Sequence, residues 1–297
     1  MFTNLSSVCR FFANVCLPRI FELLEFSGSI FHDDTHFWLG NDASYKASRE
    51  SVLCAQIVAQ QPLALALAKV VRVCHFADWR LDGEGSWAVR TFARKYISGM
   101  LHMENIRELR FTDSFVDIEH WDAIATLPSL EKLSFLSCLF LQGPADVEPE
   151  KRVKVKVSRL QVLHCNLGFR QALAAIDPQH LRVLDMDHKF LDQVNWRLLS
   201  SLIELRFYDP YGPFQGAEEL FMQRLHAFLI QVPQSLEELR LAVDISGLPY
   251  ILDGNMFDDP AWRNLSLRSL ALVVESPGWD VFLNVSQTTF IEYFTVD

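Results

Sequence analysis

Two histidines four residues apart, His32 and His36, have the spacing in this chain best suited to a metal ion. On a helix, side chains at positions i and i+4 share one face, so both imidazoles could bind one ion. The flanking glycines instead predict a loop, and no third ligand is fixed by spacing. The segment 253–259 carries several oxygen donors, but Asn264 stands where a calcium loop has a glutamate. We therefore predict that the chain binds no metal and no other cofactor.

Two pairs of neighbours could act as nucleophile and base: Cys74 with His75, and His164 with Cys165. Both pairs fall in predicted strands, where adjacent side chains point to opposite faces. A catalytic dyad needs its two groups within hydrogen-bond reach, which this geometry forbids. The sequence also lacks the motifs of serine hydrolases, zinc peptidases, P-loop proteins and dinucleotide-binding folds. We expect a protein that is not an enzyme.

The second of these pairs belongs to a repeated pattern that organises the chain. The segments 160–165, 181–186 and 202–207 carry apolar residues at their first, fourth and sixth positions, and their starts lie 21 residues apart. A fixed period of this length with this template is typical of leucine-rich repeats, in which each repeat supplies one strand. Residues within a repeat are numbered below from the first apolar residue, as position 1.

The template recurs on both sides of that stretch at longer spacings. Further copies are Val71-Cys74-Phe76, Ile106-Leu109-Phe111, Leu130-Leu133-Phe135, Leu236-Leu239-Leu241 and Leu267-Leu270-Leu272. The intervals run from 21 to 35 residues, whereas short consensus repeats have about 20–29. We predict an α/β fold, an irregular leucine-rich-repeat solenoid or horseshoe with parallel strands on its concave face and helices on its convex face.

Helical spacing of apolar residues predicts the elements that pack behind those strands. Helices are expected near 44–61, 86–100, 117–126, 168–176, 192–200 and 216–231, with a short apolar connector at 63–68. The first repeat strand is expected at 70–76 and a last strand near 289–296. The tryptophans that precede strands, which we interpret as core aromatics, are Trp121, Trp196 and Trp262.

The face of the strands away from the core is the candidate binding surface. If positions 1, 4 and 6 point into the core, position 5 points to solvent. A row of charged and imidazole side chains suits contact with a protein partner, the usual use of such arrays. The candidate partner-binding residues are His75, Arg110, His164, Asp185, Arg206 and Arg240. An alternative stays open, because the charged members could pair across neighbouring strands and be structural.

The net charge and the cysteines of the chain indicate which kinds of partner and which cellular compartment to expect. The formal charge of −10 disfavours a nucleic-acid or anionic-membrane surface, because phosphate binding needs clustered lysine and arginine. The six cysteines form no C-x-x-C pair, which is typical of reduced thiols in an intracellular protein of cytoplasm or nucleus. Neither a signal-peptide pattern nor an apolar run long enough to cross a bilayer is present. We expect a protein partner, with no nucleic acid and no membrane.

The N-terminal residues carry a second pattern. The sequence V-C-R-x-F is followed by L-P-x-x-F, and the matching residues are Val8, Cys9, Arg10, Phe12, Leu17, Pro18 and Phe21. These motifs resemble the last part of an F-box, and the degenerate repeat array follows them. The chain is thus similar to fungal F-box/leucine-rich-repeat proteins, with a partial F-box-like segment at 1–26 and a repeat domain at 27–297.

That resemblance implies a non-catalytic protein-interaction module: the substrate-recognition part of an F-box subunit of a cullin-RING ubiquitin ligase, which selects an unidentified target protein. The remnant of its adaptor-binding surface would be Val8, Phe12, Leu17 and Pro18. A complete F-box opens with an L-P-x-E helix that this sequence does not contain, so either its start is truncated or the protein no longer docks the adaptor. Two alternatives stay open: residues 5–26 simply cap the first repeat, or the protein is a stand-alone scaffold without a ubiquitin role.

Overall fold

The structure is a computed structural model, and it describes residues 16, 18–28, 49–80, 86–141, 153–165, 169–208, 218–244, 267–275 and 289–292. Strands that pair mostly in parallel alternate with helices along the chain, which confirms the predicted α/β class. The chain divides into two compact units. The first is formed by residues 1–156 and 165–171, and the second by residues 157–164 and 172–297.

The first unit contains a sheet whose strands are adjacent in chain order and parallel. They are β1 (Leu23–Ser27), β2 (Val73–Ala77), β3 (Glu108–Thr112) and β5 (Lys132–Leu136). Two short strands, β4 (Phe115–Val116) and β6 (Leu139–Phe140), form a separate parallel pair. The helices of this unit are α1 (Arg49–Val58), α2 (Pro62–Ala68), α3 (Ser86–Met100) and α4 (Ile118–Ala125).

The second unit repeats this arrangement. Its parallel strands are β7 (Arg159–Leu163), β8 (Val183–Asp187), β9 (Glu204–Tyr208), β10 (Glu238–Asp244) and β11 (Ser269–Glu275). A last strand, β12 (Thr289–Glu292), pairs with β11 in the antiparallel direction. The helices are α5 (Phe169–Ala175), which begins in the first unit, two 3-10 helices at His188–Gln193 and Trp196–Leu198, and α6 (Glu218–Gln231).

The apolar face of each sheet is built from positions 4 and 6, because alternate residues of a strand share a face. In the first unit the position-6 residues are buried phenylalanines that pack against one another. Ring centroids are 4.9 Å apart for Phe26 and Phe76, 5.1 Å for Phe76 and Phe111, and 5.4 Å for Phe111 and Phe135. Such ring pairs contribute about 0.5–1.5 kcal/mol each beyond the area they bury.

In the second unit the same positions carry aliphatic residues and one phenylalanine. Leu184, Leu205 and Leu239 occupy position 4 in adjacent strands and are fully buried. Helix α6 packs over this face through Phe228, whose ring centroid lies 5.5 Å from that of Phe207 and 4.7 Å from that of Trp196. The indole of Trp196 is buried, as expected of a core aromatic.

A main-chain pattern recurs where one repeat follows the next. The carbonyl oxygen at position 2 accepts hydrogen bonds from the amides at positions 2 and 3 of the next repeat. Glu22 O accepts from Arg72 N at 2.9 Å and from Val73 N at 3.0 Å. The same double acceptance occurs at the carbonyls of Arg72, Arg107, Ser158, Arg182, Ile203 and Glu237. Since buried backbone groups must be paired, this regularity sets the register between strands.

Side chains at position 9 add a second ladder in the first unit. Each donates to the carbonyl oxygen at position 6 of the preceding repeat. The bonds are Trp79 Nε1 to Phe26 O at 2.5 Å, Ser114 Oγ to Phe76 O at 3.2 Å, Cys138 Sγ to Phe111 O at 3.3 Å, and Cys165 Sγ to Phe135 O at 3.7 Å. An indole, a hydroxyl or a thiol group thus makes the same hydrogen bond between repeats in four successive repeats.

At the residue that precedes position 9, the backbone turns sharply after the end of the strand. Asp78, Asp113, Ser137 and His164 all stand at position 8, with φ between 49° and 59°. This left-handed conformation is uncommon for residues other than glycine. Its recurrence at one position therefore marks a turn shared by the repeats.

Strand β1 adds a further copy of the template that the sequence analysis did not include. Two details of the sequence prediction were wrong. The register at β7 is shifted by three residues, because Leu160 pairs with Leu184, so this repeat starts at Val157 rather than at Leu160. The connector at 63–68 is helix α2, whose first residue is proline, a residue suited to that position.

Candidate interaction surface

Positions 3 and 5 of the strands lie on the face opposite the helices. In the first unit the position-5 residues of adjacent strands are Glu25, His75, Arg110 and Ser134. His75 and Arg110 therefore stand where the sequence predicted them. Arg110 is exposed, whereas His75 is mostly buried between its neighbours.

The imidazole of His75 is held by residues of the two flanking strands. Its Nδ1 lies 3.6 Å from a carboxylate oxygen of Glu25, and its Nε2 lies 3.0 Å from the hydroxyl of Thr112. Cys74 points to the opposite face, where it is fully buried and its Sγ lies 3.9 Å from the sulfur of Met103. The predicted separation of Cys74 from His75 is confirmed, so these two groups form no dyad.

Charged side chains continue along this face. Arg110 Nε donates to Glu108 at 2.8 Å, and Lys132 Nζ lies 4.0 Å from the same carboxylate. Ion pairs at such exposure contribute about 0–1 kcal/mol. These charges therefore add little to stability and remain available to a partner.

At the start of these strands the same residues border an open groove of about 440 Å³. Its lining is Glu22, Arg72, Val73, Arg107, Glu108, Glu131 and Lys132. Three cations and three carboxylates balance there. The groove has no net charge that would select one class of small ligand.

In the second unit the position-5 residues of adjacent strands are Gln161, Asp185, Arg206 and Arg240. Asp185 departs from the expectation that this row faces solvent, because its side chain is 0% exposed. Arg159, at position 3 of the neighbouring strand, covers it and donates to its Oδ2 through Nε at 3.0 Å and Nη2 at 2.6 Å. Burial raises the pKa of Asp185 above its ordinary value, although the hydrogen bond from Arg159 and the charges of Arg159 and Arg206 oppose that rise.

The second carboxylate of this cluster lies beneath two arginines. Arg206 Nε donates to Glu204 at 2.7 Å and lies 3.5 Å from Asp185 Oδ1, and Arg240 Nε lies 3.0 Å from Glu204. Burial acts to lower the pKa of Arg206, but Glu204 and Asp185 bring it above its ordinary value. Arg240 also contacts Glu238 at 3.3 Å. The structural alternative left open for Asp185, Arg206 and Arg240 is thus real: they form one cross-strand network.

His164 does not belong to the position-5 row. It follows β7 at position 8, because of the register shift, and Gln161 takes its expected place. The amide of His164 donates to the buried carboxylate of Asp187 at 2.9 and 3.2 Å. In the first unit the equivalent amides of Asp78 and Asp113 bind the main-chain carbonyls of the next strand instead. Asp187 substitutes for such a carbonyl where β8 turns into a 3-10 helix.

The described cysteines are free thiols. They are Cys16, Cys54, Cys74, Cys138 and Cys165, and all are buried. Burial, with a smaller contribution from Glu50, raises the pKa of Cys54 to about 12. Since the thiolate is the nucleophile and the metal ligand, this environment makes the group inert. The part of the chain that the structure describes contains no group of three or more residues able to hold a metal, and the histidines His32 and His36 and the segment 253–259 lie outside it.

Little of the predicted adaptor-binding remnant lies within the described residues. Pro18 belongs to a helical stretch at 18–21 that leads into β1, whereas Val8, Phe12 and Leu17 lie outside the described residues. Across the described ranges no single helix is long and apolar enough to cross a bilayer. The helices at 50–58 and 62–68 have the required length and apolarity only when counted together, and they are bent sharply at the break between them.

Sequence reasoning placed Glu204 on this surface, at position 3, but missed Arg159 and Gln161. A signal for both of these was present. Two overlapping triplets fit the template here: Val157-Leu160-Val162 and Leu160-Leu163-Cys165. Only the first triplet places Cys165 at position 9, where leucine-rich repeats carry asparagine or cysteine.

Comparison of the chain with protein-family models gave no match, and comparison with curated proteins gave none either.

Proposed function

We propose that the chain is an irregular leucine-rich-repeat array that binds another protein through the strand face opposite its helices. One observation carries the repeat assignment: position 9 donates to position 6 of the preceding repeat in four successive repeats, through three different side-chain chemistries. Repeats of this kind bury one face by stacking and leave the strand face free for recognition.

The composition of that face supports a protein partner rather than a substrate. It combines exposed Arg110 and Lys132 with a cross-strand network of arginines and carboxylates. Charges held in fixed positions give an interface specificity and fast association more than raw affinity. A catalytic cysteine must be reached by its substrate and paired with a base, whereas Cys74 and Cys165 are both fully buried. We propose no bond chemistry for this protein.

The F-box resemblance belongs to the same proposal. The target protein would be selected by the repeats, and residues 1–26 would be what is left of an adaptor-binding surface on a cullin-RING ligase subunit. A stand-alone scaffold without a ubiquitin role is the second candidate, and strand β1 favours it, because residues 23–27 pair with β2 as an ordinary first repeat. The buried thiols support an intracellular location for either.

A binding experiment separates the two candidates. The purified chain is immobilised, extract from the native organism is passed over it, and the bound proteins are identified. A target together with the ligase adaptor supports the F-box role. A target without the adaptor supports the scaffold. Recovery of no protein from a folded bait contradicts both.

A further inference from the structure

The corner between α1 and α2, in the first unit, exposes apolar side chains to solvent. Residues 51–68, which include all of α2 and all of α1 except its first two residues, contain no charged residue and no histidine. Val52, Val58 and Leu63 are 42%, 50% and 69% exposed. The exposed residues of this corner, called the corner patch below, are Val52, Ala55, Val58, Ala59, Gln60, Gln61, Pro62, Leu63 and Ala66.

The inner sides of the same two helices are already used for packing. Leu53 and Ile57 of α1 and Ala64 and Ala68 of α2 are buried. The residues of the corner patch therefore stand apart from the core. Contiguous apolar surface of this kind marks an interaction site, whereas single exposed apolar residues need no explanation.

Other helices of the chain present charge to solvent. The exposed residues of α3, α4 and α5 include Arg90, Arg94, Lys95, Asp122 and Arg170. The corner patch differs from these helices in having no charge to keep it in water. Its composition is that of the core of a protein interface, which is depleted in charged residues.

The main chain holds this corner in one conformation. Gln60 has a φ of 58°, the left-handed conformation that commonly ends a helix. Its amide donates to Ile57 O at 2.8 Å, and the amide of Gln61 donates to Gln56 O at 3.0 Å. Pro62 then begins α2, whose axis is bent by 115° from that of α1. A surface that is fixed before contact loses little entropy on binding.

We propose that the corner patch is the contact between two copies of this chain. Each copy carries a formal charge of −10, so two copies repel one another as they approach. A contact without charge sets no like charges against each other. Gln60 and Gln61 suit the same occupant, because a glutamine amide is both donor and acceptor and can pair with its own copy across a two-fold axis.

The sequence of the patch favours a second copy over a lipid surface. Helices that lie in a membrane interface carry lysine or arginine on their polar side and are anchored by large side chains such as tryptophan and phenylalanine. Residues 51–68 contain none of these four residue types. The negative charge of the chain also opposes its approach to an anionic bilayer.

The size of the patch predicts a weak dimer. The two helices have 10 and 7 residues. At about 1.5 Å per residue and about 10–12 Å across, their exposed halves cover on the order of 450 Å². Two copies would bury about 900 Å² in total, which is less than the roughly 1,600 Å² of a standard interface and typical of transient ones. We expect a Kd on the order of 10–100 μM.

Sedimentation equilibrium of the full chain, over a concentration series that spans this Kd, tests the proposal. We expect a monomer–dimer equilibrium that strengthens as salt rises, because salt screens the repulsion between two copies of charge −10. A single monomeric species at every concentration overturns the proposal. Association that weakens as salt rises also overturns it, because ion pairs elsewhere would then hold the copies together.

Variants locate the contact. Leu63→Glu and, independently, Val58→Glu should each weaken dimerisation at least about tenfold, because each sets two like charges in the contact. Mixing Leu63→Glu with Leu63→Lys should restore association, since the two copies then carry opposite charges. The matched control is Leu198→Glu, at a leucine that is 58% exposed in the second unit, and it should dimerise like the wild type.

Thermal unfolding confirms that each of these variants is folded. Equal weakening in the control, unchanged dimerisation in both patch variants, or a mixture that associates no better than Leu63→Glu alone overturns the proposal.

A vesicle experiment covers the other occupant. If the chain stays monomeric and co-sediments with phosphatidylcholine vesicles, and Leu63→Glu abolishes this, the corner patch binds lipid and the second-copy proposal is overturned. The proposal goes beyond recognition by the strand face and is tested without a captured target, so either can fail alone.

Discussion

The hydroxyl of Ser114 lies 3.2 Å from the carbonyl oxygen of Phe76, across two neighbouring repeats. It also accepts a hydrogen bond from the amide of Trp79 at 3.4 Å. Cys165 has the same two relationships two repeats further on, with Phe135 O and with the amide of Cys138. In these two repeats the side chain at position 9 therefore bonds two main-chain groups of the preceding repeat.

This relationship predicts how substitutions at Ser114 rank. Ser114→Ala removes the donor and should lower the free energy of unfolding by about 1–3 kcal/mol, the usual cost of an unsatisfied buried group. Ser114→Cys keeps a donor of the kind that Cys138 already supplies and should cost less. Urea unfolding measures both. Equal losses for alanine and cysteine would show that the donated proton is irrelevant.

A second prediction concerns position 4 of the repeats. Leu205 is fully buried in β9, so Leu205→Ala should cost about 2–5 kcal/mol through lost burial and a residual cavity. Leu198 in the same unit is 58% exposed, and Leu198→Ala should change stability by less than about 0.5 kcal/mol. Denaturant unfolding of the two variants checks the difference. Similar values for both would contradict the assignment of position 4 to the core.

A third prediction concerns the close approach of α1 and α3. A Cβ added at Gly99 would lie 2.6 Å from both the Cβ and the Sγ of Cys54, closer than real side-chain atoms come. Gly99→Ala should therefore destabilise the protein by about 1–3 kcal/mol through overpacking, although alanine favours helix more than glycine does. Ser98→Ala, at an exposed neighbouring site of the same helix, should be nearly neutral.

The double variant Cys54→Gly with Gly99→Ala tests the cause. Because it removes the Cβ and Sγ that the new methyl group would meet, it should be more stable than the two single effects added together. Additive losses in thermal unfolding would mean that the two helices do not meet at these residues.

A fourth prediction concerns pH and the start of α4. Asp117 is the N-cap of this helix and accepts from the amides of Glu119 and His120, and its Oδ1 lies 2.7 Å from His120 Nδ1. Burial acts to raise the pKa of Asp117, but the hydrogen bonds and charge of His120 bring it below its ordinary value. A lowered folded-state pKa stabilises the protein above the unfolded value of about 3.9 and loses that contribution as pH falls through the folded value.

Asp117→Asn keeps a good N-cap but not the charge. The wild type should therefore exceed this variant in stability at pH 5, and the difference should shrink as the pH falls below about 4. Chemical unfolding across that range measures it. A difference that does not change with pH would show that the ionised carboxylate of Asp117 contributes nothing.

The sequence predicts the register correctly for strands in which only one set of apolar residues fits the template. Leu109, Leu184 and Leu205 occupy position 4 as predicted, because alternation along a strand leaves one choice of buried face. It failed at β7, where Leu160 belongs to two overlapping triplets and only the place of Cys165 at position 9 distinguishes the two registers. The burial of Asp185 could not be predicted either, since it depends on how Arg159 and Arg206 close over it.

The most direct measurement of the central claim is the affinity of a captured target for two double variants of equal charge change. Arg110→Glu with Arg240→Glu alters the strand face of both units, whereas Arg90→Glu with Arg197→Glu alters exposed arginines in helical segments of both units. We predict a loss of at least about tenfold for the first variant and an affinity close to that of the wild type for the second. Equal affinity of the two variants, or a greater loss for the second, would contradict recognition by the strand face.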